Sequence, residues 1–88
     1  MKIDIKHTKN VLRDWDVDVT VNAESGEKIS SVEIKVNDFP EVNESQDDSV
    51  SSWEKQLTQK GQYPGDNKVV VTVFDQNGNS SVAKQQWS

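Results

Sequence analysis

The chain has 88 residues, 32% of them hydrophobic and 28% charged, with 10 Lys and Arg against 15 Asp and Glu for a formal charge of −5. That length predicts one domain with a lean core, and the acidic balance argues against nucleic acid and anionic membranes, whose binding sites are basic. Cysteine is absent, which excludes disulfides, thiolate catalysis and cysteine metal sites; no apolar run nears the ~20 residues that cross a bilayer.

The segment "MKIDIKHTKN" has no apolar signal-peptide core. It alternates instead, with Ile3 and Ile5 on one face and Lys2, Asp4 and Lys6 on the other. "WDVDVTVNA" alternates more clearly: Trp15, Val17, Val19, Val21 and Ala23 share a face, and Asp16, Asp18, Thr20 and Asn22 face water. In "SVEIKVND", Val32, Ile34 and Val36 point inward against Glu33, Lys35 and Asn37. In "NKVVVTVFD", Val69, Val71 and Val73 stand opposite Val70, Thr72 and Phe74. A period of two with β-branched residues predicts half-buried antiparallel strands. Turn chemistry falls between them at Glu24 to Glu27, Asn37 to Pro40, Gly61 to Asn67 and Asn77-Gly78.

Two segments are less plain. The polar run Glu41 to Ser52 reads as a mobile, solvated loop carrying Glu41, Glu44, Asp47 and Asp48. "SSWEKQLTQKG" offers Ser51 as an N-cap, Glu54 three residues on and Gly61 as a stop, which is a capping-box helix signal. Trp53 and Leu57 also share strand parity, with Lys55 between them. Local chemistry leaves helix and strand both open there.

"SGEKISSVEIKVND" resembles the opening half of bacterial immunoglobulin-like, fibronectin-III-like modules, with Gly26, Ile29, Val32, Ile34, Val36, Asn37 and Asp38 in the motif positions. "GDNKVVVTVFDQNGNSS" resembles their closing hairpin, carried by Gly65, Asn67, Val69, Val71, Val73, Asp75, Gly78 and Asn79. The resemblance covers about two thirds of the chain. It implies an all-β, immunoglobulin-like antiparallel sandwich of about seven strands, with Trp53 to Leu57 as a strand. Lys55 and the longer "QKGQYPGD" connection depart from the pattern, and the Glu41 to Ser52 region leaves room for the loss of one edge strand. The expected core contains Val17, Val19, Val21, Ile34, Val36, Val71 and Val73.

Candidate chemistry is sparse. Asp75, Asn77 and Asn79 stand at the first, third and fifth places of a calcium-loop spacing, but the sixth is Ser80 and the twelfth is Gln86. One carboxylate is a poor match for an ion that takes ~6–8 oxygens. A tight hairpin turn explains the same residues; no metal and no cofactor is expected. Asp14, Asp16 and Asp18 make an outward acidic stripe. Alternate residues lie ~6.5–7 Å apart, too far to share one ion directly, so a ladder with Lys2 and Lys6 is expected. His7, the lone histidine, has no nucleophile or orienting acid in any local pattern and reads as structural. Asn43-Glu44-Ser45 and Asn79-Ser80-Ser81 match the glycosylation pattern by chance in a bacterial chain.

The aromatics are the features that could carry recognition. Trp15, Trp53 and Trp87 fit core positions, at least two of them truly core. Phe74 has outward parity and Phe39 lies in a turn. Phe39, Tyr63 and Phe74 are the candidate ligand-binding residues, with Phe39, Tyr63 and Glu41 to Ser52 gathering in loops at one end. Lys2, Lys6 and Lys35 suit the guarding of edge strands. The resemblance implies a non-catalytic accessory module — spacer, stalk or docking unit — of a cell-surface or secreted protein. The alternative is a module that binds carbohydrate or cell wall through loop aromatics. Neighbouring domains of a longer chain and a glycan or protein ligand are the expected partners, for a monomer that neither binds nucleic acid nor inserts into a membrane.

Overall fold

The computed structural model describes residues 1–9, 15–60 and 67–87, with the side chains of 47–49, 59 and 60 outside that description. Among the described residues there are seven strands and no helix: β1 (Lys2–Lys9), β2 (Trp15–Asn22), β3 (Ile29–Val36), β4 (Phe39–Val50), β5 (Ser52–Lys60), β6 (Asn67–Asp75) and β7 (Ser80–Trp87). All pairings are antiparallel. They build two sheets, β1-β2-β5 and β4-β3-β6-β7. Consecutive hairpins pair β1 with β2, β3 with β4 and β6 with β7, while β2–β5 and β3–β6 pair across the sequence. The result is an immunoglobulin-like β-sandwich whose fourth strand lies beside the third.

Period two is what places the core. Val17, Val19 and Val21 of β2 face Ile34, Val36, Val69, Val71 and Val73 of the other sheet, all at most 3% exposed. Alternation on the central strands puts these β-branched side chains on one side and polar ones on the other. Ile29, Val32, Val42, Leu57 and Trp87 complete the buried cluster, and Ile3, Ile5, Trp15, Val50 and Trp53 pack against it.

Two expectations are corrected or resolved. Glu41 to Val50 is not a loop but most of β4, and no edge strand is missing. β4 gives few apolar residues to the core, Val42 and Val50 among them, and its register shifts twice, so hydrogen bonding to β3 sets the strand without visible alternation. Its pairing partner jumps from Ser45 opposite Ser31 to Val50 opposite Ile29, a bulge that takes up the polar residues between. Ser52 to Lys60 is a strand and not a helix. A capping box is worth about 1 kcal/mol. Laying Trp53 beside Val21 and Leu57 beside Val17 buries apolar surface worth about 1.5–3 kcal/mol per large side chain, so tertiary pairing wins.

The edge lysines need one correction as well. Lys2 and Lys6 do lie on an edge strand, β1. Lys35 does not, since β3 is paired on both sides.

Candidate functional site

The Cα extents of 41 × 20 × 17 Å make a rod whose long axis follows the strands. Its two ends differ in chemistry. At the first, β2 passes to β3 and β6 turns into β7. Asp75, only 5% exposed, closes that second turn. Its Oδ1 accepts from the amides of Asn77 at 2.8 Å and Asn79 at 2.9 Å, and its Oδ2 from Asn79 Nδ2 at 3.3 Å. Burial works to raise the carboxyl's pKa, but the two backbone amides and the Asn79 side chain outweigh it and hold the group below the ordinary carboxylate range. Gly78 supplies the left-handed backbone at φ 83°. The three residues at calcium-loop spacing are thus joined to one another as a turn. Gln76 ties that turn to the β2–β3 connection: its Nε2 donates to Gly26 O, and its Oε1 accepts from Lys28 N at 2.7 Å.

At the opposite end stand Lys9, Trp15, Phe39, Asn67 and Trp87. The two-residue turn Asn37-Asp38 has φ of 51° and 70°, the left-handed pair of a type I′ hairpin. Asn37 fixes it to β6 three times. Its backbone amide donates to Lys68 O, its Oδ1 accepts from Lys68 N at 2.9 Å, and its Nδ2 donates to the Oδ1 of buried Asn67 at 3.1 Å. Phe39 follows the turn, 59% exposed.

His7 belongs to an aromatic cluster that the sequence reading left unassembled. Its ring stacks on Trp87 with centroids 4.5 Å apart and meets Trp15 edge-on at 5.2 Å, and Trp15 meets Trp87 edge-on at 5.6 Å. Gln85 Nε2 donates to Ile5 O, so Gln85 Oε1 is the atom facing His7 Nδ1, and that nitrogen carries the proton. Gln85 therefore sutures β7 to β1 across the sheets. The Trp87 Nε1–H is buried without an acceptor among the described residues. The signal for this cluster was present: His7 continues the parity of Ile3 and Ile5, and Trp87 that of Ala83 and Gln85.

Of the three candidate ligand residues, Phe39 and Phe74 do not come together. Phe39 lies opposite Val36 and Phe74 opposite Ser31, five residues apart along β3 and so about 17 Å. Tyr63 lies outside the described residues, as does Asp14. Phe74 instead shares the outer face of β6 and β7 with exposed Val82, its diagonal neighbour, and with Val70. The acidic stripe lies on the outer face of the other sheet, where Lys6 stands opposite Asp18, Thr8 opposite Asp16 and Lys2 opposite Asn22. A shallow groove of about 460 Å³ lies along β2 and β5, lined by Asp18, Val19, Thr20, Glu54, Lys55 and Gln56. Its lining is mostly polar and charged, unlike the predominantly apolar walls of most small-molecule pockets.

No protein-family model, no curated protein and no solved structure matches this chain.

Proposed function

We propose that the chain is a non-catalytic, bacterial immunoglobulin-like accessory module, a spacer or docking unit of a longer secreted or cell-surface protein. One observation carries the reading. β1 starts at the Asp75 end, with Lys2 opposite Asn22, and β7 finishes at the tryptophan end, with Trp87 opposite Asn67. The described chain therefore enters one end of a 41 Å rod and leaves by the other. That geometry lets modules follow one another in a line, each adding its full length. The state of the reactive side chains supports the same reading. His7 is engaged in stacking and a hydrogen bond, and the Asp75 carboxylate is taken up by its own turn.

The test is a two-copy tandem chain compared with the single one. Under this reading both unfold with the same midpoint, because neighbours add length without sharing a core. A tandem whose midpoint shifts, or which unfolds in steps absent from the single chain, overturns it.

Phe39 favours a second reading, a carbohydrate- or cell-wall-binding module. Its ring is largely exposed beside a turn that Asn37 and Asn67 hold rigid, and rigid turns are where such folds present contacts. A glycan array with wild type and Phe39→Ala separates the two. Binding lost in the variant supports the ligand reading, and no binding supports the spacer.

A further inference from the structure

The two lateral sides of the sandwich are built differently. On one side β1 and β7 are sutured by Gln85, whose Nε2 occupies the Ile5 carbonyl that edge strand β1 would otherwise offer. On the other side lie the remaining edges, β4 and β5. β4 is irregular: Pro40 lacks an N–H, and its register shifts twice against β3. β5 is regular, paired without a shift from Ser52 opposite Asn22 to Leu57 opposite Val17. Among the described strands its outer edge is the best template for an added strand.

Both strands place a charge at the middle of their inward face. Lys55 stands opposite Val19, which is 1% exposed, and Glu44 opposite Val32, which is 0% exposed. Cα partners in an antiparallel pair share a face, so both charges take positions that alternation would give to an apolar residue. Val19 lies three residues in from Asn22 and Val32 three from Ile29, so the charges stand at the same level of the rod. Lys55 is exposed at the open side, while Glu44 keeps one oxygen, Oε2, buried with no hydrogen bond among the described residues. Apolar inward residues stand beside both charges: Trp53 and Leu57 around Lys55, and Val42 before Glu44.

We infer that Lys55 and Glu44 guard the β4–β5 side against a second copy of this chain. A strand added to β5 would cover the Lys55 stem and close over Glu44, removing both charges from water. Two copies pairing by their β5 edges would also bring two Lys55 side chains together. Desolvating those charges opposes the main-chain hydrogen bonds that the new pairing would gain. Lys55 thus has a stated role where it had only broken the family pattern. The inference holds for the single chain and does not depend on what the module does in a longer protein.

Light scattering after size exclusion tests it, with Lys55→Val, Glu44→Val and the double variant. Glu54→Val is the control, since it adds the same apolar bulk to β5 on the outward face. Wild type and Glu54→Val stay monomeric. Lys55→Val associates at least about tenfold more tightly than Glu54→Val, the double variant more tightly still, and hydrogen exchange shows new protection on β5. Lys55→Glu, which keeps a charge at the position, remains monomeric, and Lys55→Thr serves if the valine variant does not fold. The inference is overturned if the folded double variant stays monomeric, if Glu54→Val associates as strongly, if wild type already pairs through β5, or if the new protection falls on another strand.

Discussion

Replacing Asp38 probes the turn that makes β4 a strand. Asn37 and Asp38 both have positive φ, 51° and 70°. An ordinary L-residue loses about 1–2 kcal/mol in that region, and Asp somewhat less because its short side chain bonds locally. Asp38→Gly removes this strain but admits a more flexible unfolded chain, which returns about 0.5–1 kcal/mol. It also deletes the Lys68–Asp38 ion pair at 3.0 Å, formed between exposed side chains and worth a few tenths of a kcal/mol at most by the usual measure of about 0–1. The glycine variant should thus lie within about 0.5 kcal/mol of wild type. Asp38→Ala keeps the left-handed backbone, which Ala tolerates less well than Asp, and loses the ion pair, a net destabilisation of about 1 kcal/mol. For a domain of this size that separates the two variants by about 4–8 °C in midpoint. Thermal unfolding followed by circular dichroism at 218 nm, roughly the strand minimum, reads the difference. Alanine as stable as glycine would mean that Asp38 is not left-handed, and that the β3–β4 register derived from this turn is wrong.

Three further outcomes follow from the same contacts. Gln85→Ala removes the bonds to Ile5 and His7, so urea unfolding should show a loss of about 1–2 kcal/mol, with faster amide exchange along β1; exchange quickened in β4 instead would contradict the suture. Trp87→Phe deletes a buried N–H that has no acceptor among the described residues and should cost under about 1 kcal/mol, whereas Trp87→Ala should cost about 3–5; equal costs would mean that the indole nitrogen is bonded. The folded-state pKa of Asp75 is depressed from 3.8, so its contribution is fully present above the unfolded value and is lost as pH falls below about 4 through the folded value. Asp75→Asn should therefore show a flatter loss of stability in acid than wild type, and parallel acid profiles would remove Asp75 from the account.

How much of this was legible depended on where each strand sits. β2, β3 and β6 are central strands, and their Val and Ile alternation made both the strands and the core readable. β4 was not readable, because its register against β3 shifts twice and the polar residues between Val42 and Val50 show no alternation and look like loop. β5 was balanced between helix and strand, since Trp53 and Leu57 fit both periods and only the pairing with β2 decides. At the candidate site, the Asp75 turn was read from its own residues, because the bonds that satisfy the carboxylate are local. The His7, Trp15 and Trp87 cluster was not legible, although the inward parities of Trp15 and Trp87 were, because β1, β2 and β7 meet there from distant parts of the chain. Phe39 and Phe74 were chosen for exposure, and exposure carries no information about distance. The resemblance supplied the seven strands, and neither it nor the alternation showed that β4 lies beside β3.

The central claim is that this rod transmits the chain from end to end. Small-angle scattering on the tandem chain measures it directly. The account predicts a maximum dimension longer than that of the single module by close to 41 Å, with a cross-section unchanged. A tandem that lengthens by much less while its cross-section grows, as two rods lying side by side would, contradicts it.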